Sequence, residues 1–193
     1  MNIANKLTVS RIVLTFLFMF FLLYFHGFWA KILSLAIFIF AALSDFFDGR
    51  IAQKKNMVTD FGRLMDPIAD KILVLAAFVA FIQMQLVNGL MVMIIIFREI
   101  LITYLRLFAL TKGKVLSAGR AGKHKTLSQM LVIFFILGFI VFKEVMLTFF
   151  SWNPAWEKFF RQGIDIVMWL IVGLTLYSGF SYLWENRKVI SNL

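Results

Sequence analysis

The chain of 193 residues contains no cysteine, only two prolines and two histidines, and half as many acidic as basic side chains. The absence of cysteine excludes a disulfide framework and a thiolate metal site, so any bound metal must have oxygen or imidazole ligands. There is no low-complexity stretch and no internal repeat. These absences predict one compact domain over residues 1–193.

Apolar side chains, in contrast, are abundant. Hydrophobic residues make up 62% of the chain, against about 45–50% in soluble domains. They form six runs near residues 7–25, 32–43, 68–86, 90–110, 127–142 and 159–184. Each run, extended by its neighbours, approaches the ~20 residues of a membrane-spanning helix, and none alternates with the period of two typical of barrel strands. The prediction is an all-α integral membrane bundle of six transmembrane helices, preceded by a short interfacial helix within residues 1–10.

Lysine and arginine together number 20 against 10 acids, a formal charge of +10. In a soluble protein this balance would suggest a nucleic-acid partner. Here the bases concentrate at the N-terminal flank, in the second-to-third and fourth-to-fifth connections and in the C-terminal tail, as expected for cytoplasmic helix ends beside anionic lipid headgroups. We therefore predict a multi-pass protein of the cytoplasmic membrane with both termini cytoplasmic, the lipid bilayer as a partner and no nucleic acid.

Four aspartates interrupt this apolar chain at the predicted cytoplasmic ends of the second and third helices: Asp45, Asp48, Asp66 and Asp70. Each unpaired aspartate costs roughly 2.5–3.5 kcal/mol at the middle of a membrane helix, so four of them need cationic compensation. At 100° per residue, Asp45 and Asp48 share one helix face with Gly49 and Ala52, whereas Asp66 and Asp70 stack on successive turns after Gly62. Four hard oxygen ligands suit two divalent cations, Mg²⁺ or Mn²⁺.

Each aspartate also has a simpler interpretation. Asp66 before Pro67 is a plausible helix N-cap, Asp48 with the following glycine is a turn signal, and Asp45 or Asp70 could form an ion pair with a nearby base. None of these alternatives explains four acids and three small residues in register on two helices.

The segment resembles the signature of the CDP-alcohol phosphotransferases, D-x2-D-G-x2-A-R-x8-G-x3-D-x3-D, with Gln53 in place of the arginine. The resemblance implies a dimer of six-helix subunits that transfers a phosphatidyl group from CDP-diacylglycerol to an alcohol and releases CMP. It also implies two metals on the four aspartates, with Asp70 as the general base. The residues that it assigns to the donor are Asn5, Thr8, Asp48, Gly49, Ala52, Gln53 and Gly62.

The rest of the chain concerns the acceptor alcohol. Residues 2–11, 98–100, 105–106 and 122–130 resemble the phosphatidylglycerophosphate synthases of this family, so the resemblance covers residues 2–130, and the last two helices match only in hydropathy. Arg98 and Arg106 are eight residues apart on one face of an apolar helix, and with Lys123 and Lys125 they suit the phosphate of glycerol 3-phosphate.

Three alternatives stay open. Arg98 could simply pair with Glu99 while the two lysines mark the cytoplasmic side. The acceptor could be that of a cardiolipin or phosphatidylinositol-phosphate synthase. In a different functional class, intramembrane acids also line the pathways of cation transporters.

Overall fold

The computed structural model describes residues 3–55, 60–114, 116 and 121–191, and within them all side chains except those of 3–8, 45–55, 60–70, 121–124, 126 and 188. Its elements are helices, and the described residues contain no strand. Six are long: α1 Ile3–Tyr24, α2 Phe28–Lys55, α3 Asp60–Gln83, α4 Gly89–Thr111, α5 Ala121–Phe149 and α6 Pro154–Glu185. A one-turn helix, α7 Arg187–Ile190, follows. The predicted all-α class is confirmed, and each apolar run lies mainly within one long helix.

In the short connection between α1 and α2, individual residues determine where the helices end. Gly27 adopts a φ of 98° in the turn between α1 and α2, a conformation that other residues rarely adopt. The buried ammonium of Lys31 donates to the carbonyl oxygens of Leu22 at 2.6 Å and Phe25 at 2.9 Å. It thus satisfies carbonyls at the C-terminal end of α1 that have no partner within the helix.

The connection between α5 and α6 is capped and is hydrogen-bonded to the turn between α3 and α4. Asn153 caps α6 by accepting from the Ala155 amide at 2.9 Å. Arg161 on α6 donates at 2.8 Å to the carbonyl oxygen of Gln85, in the turn between α3 and α4. Glu157 accepts from Arg161 and, at 2.7 Å, from Lys143 on α5. These bonds hold the α3–α4 turn against the α5–α6 connection at one end of the bundle.

One apolar core joins the six long helices. Each of them contributes at least one side chain with no exposed surface: Phe18, Phe38, Phe78, Ile95, Ile136 and Met168. Helix α1 packs against α2 and α3, α5 packs against α2, α3 and α6, and α4 packs against α3 and α6. A smaller cluster of Ile102, Ala109, Leu116 and Tyr182 joins the ends of α4 and α6. The register of α3, α4, α5 and α6 is therefore set by shared packing.

The outer surface is also apolar. Every long helix exposes large hydrophobic side chains, among them Phe16, Phe40, Val79, Phe97, Leu131 and Trp169. Polar side chains such as Lys31, Glu99, Lys125, Gln129 and Ser178 are instead buried. Among the described residues, Leu127–Phe149 and Pro154–Glu185 are long and apolar enough to cross a membrane. Water would disfavour this distribution and lipid favours it, so these features are those of a membrane protein.

Three predicted boundaries were wrong. Helix α1 runs without interruption from Ile3 to Tyr24, so residues 3–10 form its first turns instead of a separate interfacial helix, because no glycine or proline in this stretch ends it. The sequence predicts a long cytoplasmic loop over residues 112–125, but helix α5 begins at Ala121, so the basic residues 123 and 125 belong to a helix. The sequence also predicts an interfacial loop over residues 151–156, but Trp156 lies in the first turn of α6.

Candidate functional site

The signature segment lies on two helices. Helix α2 carries Asp45, Asp48, Gly49, Ala52 and Gln53, and α3 carries Gly62, Asp66 and Asp70. The predicted placement on two helices is therefore confirmed for the backbone, whereas these side chains, like those of Asn5 and Thr8 on α1, lie outside the described ones.

Two of the simpler interpretations fail on the backbone alone. Helix α3 begins at Asp60, six residues before Asp66, so Asp66 is not the N-cap of this helix. Helix α2 continues to Lys55, so Asp48 and Gly49 are not in a turn. Pro67 lies inside α3, where it removes one helix hydrogen bond.

A buried carboxylate organises the polar interior. The side chain of Glu99 on α4 is 7% exposed, and its Oε2 lies 2.9 Å from Nζ of Lys71 on α3. Its Oε1 contacts Nζ of Lys125 on α5, whose side chain is 4% exposed. The same oxygen lies 3.4 Å from Nη1 of Arg98. Glu99 therefore joins three helices through three cations.

The hairpin of α3 and α4 explains the first of these pairs. Lys71 and Glu99 lie equally far, 14 residues, before and after Gln85, which is in the turn. An antiparallel helix pair brings such positions to the same level. Glu99 also stands four residues after Ile95 and three before Ile102, both buried, so helical periodicity directs its side chain inward.

Both terminal nitrogens of the Arg98 guanidinium contact other side chains. Its Nη2 donates to Oγ of Ser178 on α6 at 2.9 Å, while Nη1 faces Glu99. A Cβ atom at Gly179 would lie 3.3 Å from Cγ of Arg98, so the glycine leaves room for the arginine stem. The expected alternative that Arg98 pairs with Glu99 is confirmed, but this pair is one part of a larger network.

The other predicted acceptor residues are placed unequally. The guanidinium of Arg106 lies 5.8 Å from the ring centre of Tyr182 on α6. Both arginines therefore lie on one helix face, as their spacing predicted, and this face contacts α6. Eight residues of helix separate them by about 12 Å, and Arg106 is exposed whereas Arg98 is half-buried. Lys125 is buried against Glu99, which contradicts a purely topological role. The side chain of Lys123 lies outside the described ones.

Several buried polar atoms near this network have no hydrogen-bond partner among the described residues: Nε of Arg98, Nε2 of Gln129, Oγ1 of Thr175 and the hydroxyl of Tyr182. Gln129 is one turn beyond Lys125 on α5, and Thr175 and Tyr182 lie on the α6 face that carries Ser178. Nε and Nε2 are donors only, and the hydroxyls can donate. Unpaired buried donors are rare, and here they suit a ligand rich in acceptor oxygens.

The sequence did not reveal that Glu99 lies at the centre of this network, or that Lys71, Ser178 and Tyr182 contact its bases. A signal was present for Glu99, since its phase with Ile95 and Ile102 assigns it to the buried face of the helix. No comparable signal links Lys71 to it before the hairpin is known. In the part of the chain whose side chains are described, no cluster of three or more acidic, histidine or cysteine residues could hold a metal.

Comparison with known proteins extends these observations. The sequence model of the family described as CDP-alcohol phosphatidyltransferase matches residues 1–177. A Bacillus subtilis protein named CDP-diacylglycerol–glycerol-3-phosphate 3-phosphatidyltransferase is 33% identical over 98% of this chain and 97% of its own length. Proteins of the same name from Rickettsia bellii and Pseudomonas fluorescens are 33% and 35% identical, each over 97% of this chain and over 96% and 93% of their own lengths.

The similarity therefore reaches beyond residue 130, where the motifs end, and includes most of α5 and α6. Those helices carry Lys125, Gln129, Ser178 and Tyr182 of the polar interior. Such coverage identifies an enzyme and excludes the cation transporter alternative. The chain belongs to the CDP-alcohol phosphatidyltransferase family.

Proposed function

We propose that this enzyme transfers the phosphatidyl group of CDP-diacylglycerol to glycerol 3-phosphate, giving phosphatidylglycerophosphate and CMP. The observation that carries the proposal is the similarity, over nearly the whole of both chains, to relatives named for this reaction. The buried basic network supports it independently, because it provides charge and donors for a phosphorylated acceptor.

The acceptor phosphate would bind at Arg98 and Lys125, with Lys123 and Arg106 nearer the cytoplasmic entrance. Three cations around Glu99 leave this group a formal charge of +2, and a phosphate monoester carries about −1.5 to −2 charges at pH 7. The planar guanidinium suits a phosphate geometrically, whereas lysine acts as a point charge. At pH 7 serine is a zwitterion and choline a cation, so neither offers these bases a net negative charge.

The donor would bind at the aspartates. Asp45, Asp48, Asp66 and Asp70 form a set of hard oxygen ligands in a chain without cysteine, which fits two Mg²⁺ or Mn²⁺ ions. Such ions, when bound, neutralise the pyrophosphate of the donor and stabilise its leaving group.

Close approach of the nucleotide is favoured by the small residues Gly49, Ala52 and Gly62, with Gln53 as a neutral neighbour and Asn5 and Thr8 contributed by α1. In the reaction the acceptor hydroxyl oxygen forms a bond to the phosphorus of the phosphatidyl group, and the bond from that phosphorus to the bridging oxygen breaks. Asp70 takes the hydroxyl proton as general base, and CMP leaves with the bonding electron pair.

The proposed setting is a bundle of six spans in the cytoplasmic membrane, with both termini and the active site cytoplasmic and two copies forming a homodimer. Besides the two long apolar helices, Val9–Tyr24, Phe28–Ser44 and Lys71–Gln83 supply shorter apolar segments. Helix α4 completes the set, although it carries Arg98, Glu99 and Arg106. Arg98 and Glu99 belong to the interior network, which is where charges in membrane helices are found.

An acceptor panel tests this function. Detergent-purified enzyme would receive CDP-diacylglycerol with glycerol 3-phosphate, inositol phosphate, phosphatidylglycerol, serine or no acceptor, and CMP release and lipid products would be measured. We expect phosphatidylglycerophosphate to form and the other acceptors to give at most background. Comparable turnover with serine, or preference for phosphatidylglycerol or inositol phosphate, would refute the proposed acceptor.

A further inference from the structure

We propose that Glu99 is a positioning residue for acceptor binding: it holds Lys71, Arg98 and Lys125 in one array that recognises the acceptor's phosphate. The inference rests on the proposed function, because it assumes a phosphorylated acceptor. It assigns to an acidic side chain a part in binding an anion, which charge alone would not suggest.

The first argument is the distribution of the contacts. Oε2 of Glu99 receives Lys71 from α3, and Oε1 receives Lys125 from α5 and Arg98 from its own helix. Three cations this close together repel one another, and in a low-dielectric interior the repulsion is strong. One carboxylate between them offsets the repulsion and still leaves the array positive.

The second argument is the orientation of Arg98. Glu99 fixes one terminal nitrogen and Ser178 fixes the other, so the guanidinium cannot rotate freely. Its Nε–H is buried without a partner among the residues described. A guanidinium immobilised in this way loses less conformational freedom when a phosphate binds, and preorganisation of this kind raises affinity.

Glu99→Gln tests the proposal, because glutamine preserves the shape and removes the charge. We expect the KM for glycerol 3-phosphate to rise at least about tenfold, with kcat at saturating acceptor changed less than about threefold and the KM for CDP-diacylglycerol unchanged. Inorganic phosphate should lose potency as a competitive inhibitor by a similar factor. A residue that only stabilised the fold would lower the yield of active enzyme and leave both constants unchanged.

The matched control is Glu157→Gln. Glu157 is also paired with a lysine and an arginine, but it lies at the far end of the bundle, so its variant should keep the wild-type acceptor KM. An unchanged acceptor KM in Glu99→Gln would overturn the proposal. A lowered KM would overturn it as well, since it would show that Glu99 competes with the phosphate for the cations.

If the Glu99→Gln protein does not accumulate, Ser178→Ala provides the test of the positioning argument. This change removes the other anchor of Arg98 and is small, and we expect the acceptor KM to rise about three- to tenfold with little change in kcat. Wild-type KM and phosphate inhibition in Ser178→Ala would refute the positioning argument. Failure of the proposed function is distinguishable, because it would appear in the wild-type enzyme as preference for an acceptor other than glycerol 3-phosphate.

Discussion

Replacement of Arg98 by alanine should weaken acceptor binding more than any other single change among the bases of the network. Loss of a hydrogen bond between charged groups costs about 1.5–3 kcal/mol. The KM for glycerol 3-phosphate should therefore rise roughly 10- to 150-fold, while the donor KM changes little. The structure also predicts a small effect on stability, because Glu99 keeps Lys71 and Lys125 as partners, and the Ser178 hydroxyl still donates to the Thr175 carbonyl.

Alanine variants of two other arginines serve as comparisons for Arg98→Ala. Arg106 is exposed and contacts the ring of Tyr182, and a cation–π contact at an exposed site contributes about 0.5–1 kcal/mol. We expect Arg106→Ala to raise the acceptor KM less than Arg98→Ala does, because the charge of an exposed arginine is screened by water. Arg161 pairs with Glu157 and with the α3–α4 turn, away from Glu99, so Arg161→Ala should leave the acceptor KM unchanged.

The assay is CMP release from detergent-purified protein at saturating CDP-diacylglycerol, with the acceptor varied and folding checked by size exclusion and thermal melting. An acceptor KM in Arg98→Ala within about twofold of wild type, in protein that melts normally, would refute the assignment of Arg98 to the acceptor site. It would then be a structural partner of Glu99 and Ser178 only.

Further changes test the donor site and the fold. Asp45→Asn, Asp48→Asn and Asp66→Asn should each abolish turnover across a titration of Mg²⁺ or Mn²⁺, because amide oxygens carry no charge to hold two dications together; near-normal CMP release in two of them would contradict the metal assignment. Asp70→Asn should abolish turnover but retain CDP-diacylglycerol binding, measured by calorimetry, because a base acts on the acceptor after the donor is bound; restored turnover with excess Mn²⁺ would make Asp70 a ligand only. Lys31→Met should lower the free energy of unfolding by about 1.5–3 kcal/mol, through loss of hydrogen bonds from a charged group, and lower the melting temperature without changing the acceptor KM; an unchanged melting temperature would contradict this role.

The partners of the charged residues on α4 could be identified only from the structure. In a membrane helix a charged residue is expensive, so its presence indicates function, but it does not reveal its partner. The sequence interpretation considered Arg98 with Glu99 because they are neighbours. It did not pair Glu99 with Lys71, because the two are 28 residues apart in the sequence, although Nζ of Lys71 lies 2.9 Å from Oε2 of Glu99.

Element type and approximate position could be predicted from the sequence because both depend on local properties. Helices form where apolar residues run for about 20 positions, and turns form where residues such as Gly27 or Asn88 interrupt them. The signature from Asp45 to Asp70 was likewise readable, because the spacing of its acids is a property of the chain. Boundaries were less certain: α1 and α5 each begin in segments that were expected to be separate or in a loop, because polar residues are compatible with either a first helical turn or a loop.

The meeting of Lys71, Glu99, Lys125 and Ser178 could not be predicted in this way. These residues come from four helices, and their contacts depend on the rotation and register of each helix relative to the others. Periodicity indicates which face of a helix is buried, but not which residue of a neighbouring helix lies opposite it. That choice is made by the packing of the shared core around Phe78, Ile95, Ile136 and Met168, a collective property of side chains distant in the sequence.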